Sequence, residues 1–504
     1  MIIWGISSMY HDAALTVLDN NKILFAGHSE RYSREKNDAF LNRKLINAGL
    51  DAGFPEVIAL HETAWAKRLR CAYSRDWQGL REPTQRDWIR RFYPELRDVP
   101  IVNYWHHQTH AAAGVLTSKF DDCAVMVIDA IGEWDTASIW HWRDGKLKKL
   151  HRVRYPHSLG LFYSAVTHRV GLKPNEDEYI LMGMAAYGNP DAARQLSSEI
   201  DRDYFKSSAS PMAGARAVLT RKNLHKGLSP DSFPGVNHFD LAWAAQDQVE
   251  RRVIAYANYA KQLTGSNNLV FMGGVALNCV ANSKLFDVFS NVHIMPNPGD
   301  AGSSLGAAAL HLYNTSGKHV DWRGPYLGHN IPGAYPVSRA LQSLSAGEIF
   351  GIANGRAEFG PRALGNRSLL ADPRGGDIKE RMNAIKQRQQ FRPFAPVILE
   401  EQADKYFDMP QKNLASPYMQ FVARCKYPQA FPAIIHADGT SRVQTVNQRQ
   451  HPGLYMLLRE FFKRTGCPML VNTSLNIKGQ PIVNTVEDAA AFAKHYGVNV
   501  HTHE

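Results

Sequence analysis

One pattern occurs twice in this chain and limits how it can fold. Ile2 to Ser8, Ala13 to Leu18 and Lys22 to His28 read as three successive strands, with Asp19-Asn20-Asn21 as a turn. Cys123 to Ile128, Thr136 to Trp142 and Lys146 to Arg152 repeat the layout, with turns at Ile131-Gly132-Glu133 and Asp144-Gly145. Two matching units predict a duplicated α/β architecture in which helices follow each unit. Gly160 to Val170 and Asp240 to Leu263 are two such helices. Asn268 to Met272 and Val292 to Met295 read as further buried strands. The first opens into Gly273-Gly274, the second through Gly299-Asp300-Ala301-Gly302 into an alanine-rich helix. Free backbone N–H groups at such turns can hold phosphate, and Gly273, Gly274 and Asn278 form the candidate loop. Tight packing explains the glycines equally well.

Glycines and prolines between Tyr313 and Pro336 mark a crossover, so one domain is expected over 1–335 and a second α/β domain over 336–504. No apolar run approaches the ~18 residues of a membrane span. Met1-Ile2-Ile3-Trp4-Gly5 lacks the basic region of a secretory signal. Five scattered cysteines without a CxxC pair argue for a reducing cytosol, so a cytoplasmic chain with no membrane partner is expected. The net charge of +11 draws polyanions, or serves only solubility.

His106 and His110 lie four residues apart, which on a helix puts two imidazoles on one face. Asp129 and Asp300 stand at strand exits, where open α/β sheets place functional groups. Together they make a mixed N/O set suited to Fe(II), Mn(II) or Zn(II). The plainer alternative is satisfied histidines at a helix end and carboxylates acting as caps.

A second group runs from Glu358-Phe359-Gly360-Pro361-Arg362 through Arg367 to Lys386, Arg388 and Arg392. Cations among glycines, prolines and aromatics suggest an anion pocket, since arginine forks match phosphate oxygens in pairs. Asn472, Ser474 and Asn476 follow an apolar strand and could hold a nucleotide or a small carbonyl donor.

Taken in order, these motifs resemble the O-carbamoyltransferases, the group that includes nodulation and antibiotic-tailoring enzymes. The motifs are His11-Asp12-Ala13-Ala14, Glu30-Arg31, His106 with His110, Asp129-Ala130 with Glu133, Gly273 to Asn278, Gly299 to Gly302, Gly360 to Ser368, Arg392 to Pro396 and Asn472-Thr473-Ser474. The resemblance implies an N-terminal domain of the actin-like ATPase (RNase H-like) class, similar to tRNA threonylcarbamoyl-transfer proteins. It implies a C-terminal α/β domain similar to threonylcarbamoyl-AMP synthases, and a homodimer is one arrangement open to it. It further implies that ATP and carbamoyl phosphate are substrates. They form carbamoyl-AMP, pyrophosphate leaves, and an acceptor hydroxyl then takes the carbamoyl group. The family's metal ligands map onto His106, His110, Asp129 and Asp300, with Fe(II) the first expectation. Its donor residues map onto Arg362, Lys386, Arg392 and the Asn472–Asn476 loop, and Lys386 and Arg392 are expected to be catalytic. An alcohol needs a base to attack, and His11 at the exit of the first strand is the candidate; a core or turn histidine is the plainer reading of the same residue. Two departures stand out: Ile180 where the family has a lysine, and Ala130 where it has glycine.

The acceptor is not written in those motifs. Between Trp65 and Trp105, cations such as Arg68 and Arg70 interleave with aromatics such as Trp77 and Trp88. Cations bind phosphates and aromatics stack on bases. The stretch therefore suggests a 5-hydroxymethylcytosine in DNA, with a sugar, aminoglycoside or other small alcohol as the alternative. A non-catalytic nucleotide- or DNA-binding module is the reading from another class.

Overall fold

A computed structural model of the chain describes residues 1–229 and 231–504. It gathers into two compact units. The first holds Met1–Leu24, Ala39–Leu41 and Gly49–Trp322; the second holds Phe25–Asp38, Asn42–Ala48 and Arg323–Glu504. The chain thus crosses at Trp322–Arg323 rather than at 335, and an early excursion joins the second unit. A linear reading of linkers cannot see such an excursion, because it contains no break in pattern.

The first unit carries two five-stranded sheets. One is built from β1 (Ile2–Ser7), β2 (Ala14–Asp19), β3 (Lys22–His28), β4 (Val57–Leu60) and β5 (Ile101–Asn103), in the order β3-β2-β1-β4-β5. The other uses β6 (Cys123–Ile128), β7 (Asp135–Arg143), β8 (Lys146–Arg154), β9 (Asn268–Met272) and β10 (Asn291–His293), in the order β10-β9-β6-β7-β8. Both sheets therefore share one strand order. In each, the first strand is antiparallel to the second and parallel to the fourth. The central strand β6 is buried along its whole length, which is why CAVMVI reads as continuous apolar sequence rather than as alternation.

Four helices matter for the site: α1 (Ala64–Ser74), α2 (His106–Thr117), α3 (His238–Thr264) and α4 (Ser303–Ser316). Small residues let α2 and α4 touch through their backbones. A Cβ on Gly306 would lie 2.0 Å from the Thr109 carbonyl oxygen, and one on Gly5 would lie 1.9 Å from that of Ser304. Close approach of α4 to α2 and to β1 therefore depends on the absence of side chains at Gly306 and Gly5. Gly306→Val should destabilise the chain by about 3 kcal/mol or more, because rigid backbone must shift to admit the new atoms. A denaturant midpoint unchanged from wild type would refute that packing.

The second unit is built on a mixed eight-stranded sheet. Its centre runs Ala395–Leu399, Met469–Ser474, Arg367–Ala371, Phe350–Ala353, each antiparallel to the next. Phe350, Ile352, Val397, Leu457 and Leu470 fill its core. Register places Ser474 opposite Ser368, and Asn472 opposite both Leu370 and Ala395. The five cysteines are free and buried. Among the described residues, no helix is long and apolar enough to cross a membrane.

Candidate metal centre and donor pocket

Helix α2 begins at His106, whose backbone N–H donates to both oxygens of Glu133 at 3.1 and 3.2 Å. Glu133 also accepts from the Thr63 N–H at 2.8 Å. A carboxylate at a helix N-terminus satisfies orphan amides and the helix dipole together. It fixes where the first turn of α2, and so the histidine pair, can sit. In the sequence Glu133 stands out only as the end of the Asp129-Ala130 motif.

His106, His110, Asp129 and Asp300 converge, each offering one ligand atom, all within 4.8 Å of one another. His106 Nε2 lies 3.4 Å from Asp129 Oδ2 and 3.3 Å from Asp300 Oδ1; His110 Nε2 lies 3.1 and 3.3 Å from the same atoms. The two Nε2 atoms are 3.0 Å apart. Four ligands about 2.0–2.1 Å from a central cation span tetrahedral edges of about 3.3–3.4 Å; the two imidazoles stand 3.0–3.4 Å from each other and from both carboxylates, near that value. Both histidines are fully buried and the aspartates nearly so. Burial disfavours charged imidazole, yet Asp300 and Asp129 hold His106 well above the ordinary histidine range, and His110 is raised as well. Burial likewise opposes an ionised Asp300, but His106 holds it well below the carboxylate range. Two buried carboxylates thus demand positive charge at one point, and a divalent cation with neutral imidazoles supplies it. The residues fit such an ion. One departure is that Nδ1 of both rings is buried without a protein partner, where metal-binding histidines usually donate.

The glycine turn after β9 packs on this group. A Cβ at Gly274 would lie 3.1 Å from Asp129 Oδ1, and Gly273 is left-handed at φ 90° with Ile128 backbone against it. Asn278, expected in a phosphate loop, is already engaged. It caps the Ala281 N–H at 3.0 Å and exchanges two amide bonds with Gln246 at 2.9 and 3.0 Å. Ile180 is buried and apolar in a helix, Glu178–Ala185.

His11 follows the tight turn after β1, with its side chain 41% exposed and Nδ1 3.3 Å from Asp12. Partial removal from water lowers its pKa, but Asp12, aided by Asp300 and Asp129, pushes it up to about 10.

In the second unit the cations separate into two kinds. Arg367 is fully buried and sends its guanidinium to the carbonyls of His329, Asn354, Gly355, Asn366 and Asn484. It holds the sheet together and is not the phosphate ligand its neighbours suggested. Lys386 is buried, and its Nζ donates to Ser474 O, Ser474 Oγ and Asn476 Oδ1 at 2.6, 3.0 and 2.7 Å. Burial, with Arg388 and Arg392 nearby, pushes its pKa well below the lysine range. Arg388 lies 4.2 Å over the Phe394 ring and donates to Asn383 at 2.7 Å. Arg362 and Arg392 are half-buried. Asn472 donates to Ala363 O and Gln444, leaving its buried Oδ1 unpartnered. Arg31 stands out in the sequence only beside Glu30, yet it belongs to this unit. It is buried, donates through Nη2 to Gly360 O at 3.1 Å, and leaves Nε and Nη1 unpartnered.

The surface from Trp65 to Trp105 is mixed. Trp65, Tyr73 and Trp77 are 60–66% exposed, and Arg68, Arg75, Arg81, Arg90 and Arg91 are exposed around them. Trp88 departs from expectation: its ring packs on Phe40 at 4.6 Å and on Phe92 at 4.3 Å. Arg70 also departs, being buried.

Residues 90–309 match the family model of the carbamoyltransferase N-terminus, and 341–502 that of the carbamoyltransferase C-terminus. An uncharacterized protein of Synechocystis sp. is 34% identical over 97% of this chain and 93% of its own length. The nodulation protein NolNO of Sinorhizobium fredii is 31% identical over 96% of this chain and 76% of its own. The 3'-hydroxymethylcephem-O-carbamoyltransferase of Amycolatopsis lactamdurans is 30% identical over 97% and 96%.

Proposed function

Since this chain belongs to the carbamoyltransferase family, we propose that it is an ATP-dependent O-carbamoyltransferase working in two steps. In the first, the second unit makes carbamoyl-AMP from carbamoyl phosphate and ATP. Pyrophosphate leaves, and one water is consumed as the phosphate of carbamoyl phosphate is released. Both reactants are strongly anionic, so Arg31, Arg388 and Arg392 offset their repulsion and align them. Lys386 holds the Ser474–Asn476 loop in place beside them. In the second step an acceptor hydroxyl attacks the carbamoyl carbon and AMP departs.

The convergence of His106, His110, Asp129 and Asp300 carries this reading. A divalent ion held there would offset the donor's phosphate charge and polarise its carbonyl. Fe(II) is the first expectation, with Mn(II) and Zn(II) behind it. The chain's own part is to fix the four ligand atoms, with Glu133 anchoring α2 and Gly274 leaving room for Asp129. With a divalent ion answering the charge of Asp300 and Asp129, which otherwise keeps the His11 imidazole protonated, the His11–Asp12 couple would take the alcohol's proton. The strand order common to both sheets supports an actin-like first unit, and the mixed sheet with its cation group supports an adenylate-forming second.

For the acceptor we favour a 5-hydroxymethylcytosine in DNA. Trp65, Tyr73 and Trp77 expose stacking surface among exposed arginines, the combination that binds single-stranded or flipped bases. A small alcohol is the second reading, favoured by the activity for which the 3'-hydroxymethylcephem relative is named.

Incubation with ATP, carbamoyl phosphate, a divalent metal and either hydroxymethylated DNA or small alcohols tests both steps. Mass spectrometry should find one added carbamoyl group. Pyrophosphate release that does not need carbamoyl phosphate would count against the first step. Arg392→Ala should abolish adenylate formation, read as loss of pyrophosphate release; undiminished release would remove Arg392 from the donor pocket. If DNA is the acceptor, its binding should fall steeply with salt, and turnover unmoved by salt would favour the small alcohol.

A further inference from the structure

The first unit buries a second polar group that neither the metal set nor the donor residues use. Arg70, on α1, is 5% exposed. Its Nη2 reaches the Cys71 thiol at 3.8 Å, while Nε and Nη1 are buried with no partner. The Tyr10 hydroxyl is buried without a partner as well. His61 meets the Gln85 side-chain amide at Nδ1, at 3.1 Å, which leaves its buried Nε2 as a donor with nothing to meet. Lys67, one turn before Arg70, pairs with Glu62 Oε1 at 3.4 Å and lies 4.2 Å over the Tyr10 ring.

These side chains form one neighbourhood. The rings of Tyr10 and His61 are 6.3 Å apart, and the Tyr10 hydroxyl feels the charges of Glu62 and Arg70. The neighbourhood adjoins the metal group, since those rings lie 6.1 and 5.3 Å from the His106 ring. Met9 and Asp12 bracket Tyr10 and His11 in left-handed conformations, at φ 69° and 62°. Residues with side chains adopt that conformation rarely, so the turn is held where it is by its surroundings.

A guanidinium buried with unmet N–H groups is costly, and donors outnumber acceptors here. Glu62 is matched by Lys67, and Glu133 is occupied by the backbone amides of α2 and Thr63. Asp76 acts on Cys71 alongside Arg70 and caps the Gly79 N–H, yet the Arg70 guanidinium keeps Nε and Nη1 unmet on a planar fork. Such a fork takes two oxygens of one anion. We propose that Arg70, His61 and Tyr10 form an oxyanion subsite, which takes a phosphate or carboxylate carried by the acceptor and so sets its hydroxyl against the metal group. Glu62 Oε2, buried without a partner, accepts from an N–H or O–H of the same molecule. The bearer of the anion rests on the transfer reading above; the anion site itself does not.

The full-length, metal-loaded chain, saturated with ATP to fill the donor pocket, is dialysed against inorganic phosphate and, separately, acetate. Wild type should bind one oxyanion per chain, and Arg70→Met should lose it. Arg70→Lys keeps the buried charge and guards against misfolding; its affinity should fall about 10- to 100-fold, because one ammonium cannot present the fork. The stronger of the two anions names the acceptor's group. In turnover, 5-hydroxymethyl-2'-deoxycytidine 5'-phosphate should show a KM about 10- to 100-fold below that of the nucleoside, and Arg70→Met should erase the difference. Wild type binding neither anion, or Arg70→Met binding as wild type does, overturns the subsite and leaves water among these donors. Oxyanion binding that depends on Arg70, with no alcohol carbamoylated, sustains the subsite while the transfer reading fails.

Discussion

A His110→Ala chain should still release pyrophosphate from ATP and carbamoyl phosphate but should carbamoylate its acceptor about 1,000-fold more slowly, or not at all. The reason is geometric. His110 Nε2 lies within 3.0–3.3 Å of the other three ligand atoms, so its loss removes one corner of the tetrahedron. What remains is His106 with two buried carboxylates, three ligands in place of four, which hold a divalent ion more weakly and less fixed in position. Metal content per chain, measured by emission spectrometry, should fall towards zero alongside transfer. His107→Ala is the control. That ring, also buried, bonds Ser138 Oγ at 2.8 Å and lies outside the ligand set. It should cost stability without emptying the site. A His110→Ala protein with full metal content and undiminished transfer would end the case for these four residues.

That set was legible because each member announced itself locally. Two histidines at helical spacing share a face wherever the helix packs, and a carboxylate at a strand exit faces the same end of a sheet as its neighbours. The repeated strands were legible for a similar reason. Periodicity is a property of short windows, and β3, β6 and β9 span the residues expected of them. What stayed hidden depends on which way one side chain turns. Arg367 and Arg392 look alike as cations beside prolines and glycines, but the first lies on a central strand buried on all sides. There a guanidinium can only be satisfied by carbonyls. Trp88 and Trp77 both interrupt basic sequence, yet only Trp88 has Phe40 and Phe92 to pack on. Arg31, Tyr10 and His61 stand out only through buried polar atoms that the fold leaves without partners. No local pattern marks a residue whose importance is that its hydrogen bonds are missing.

Lys386→Met should lower pyrophosphate release about 100- to 1,000-fold while leaving the chain folded. An ammonium has three N–H donors, and all of those on Lys386 are committed to Ser474 and Asn476. It is therefore the tie that fixes the loop at the end of the strand Met469–Ser474, and on the reading proposed above it stands among the residues that bind the donor. Methionine has the length to fill the space but leaves three acceptors unmet, so the loop shifts and Asn472, two residues earlier, loses its register on the donor. The same residue has a signature in stability. Its folded pKa lies well below the value of about 10.4 for a free lysine, through burial first and then through Arg388 and Arg392. Between those two values the unfolded chain binds more protons than the folded one. Wild-type stability should therefore rise with pH across that window, and Lys386→Met should lose that part of the slope. Urea midpoints measured from pH 8 to about pH 10 read it directly. ATP should act in the same direction on the wild type, since its phosphates supply the negative charge that this buried ammonium lacks. A variant with the wild-type slope and wild-type pyrophosphate release would mean that Lys386 neither carries an unfavourable buried charge nor anchors the donor loop.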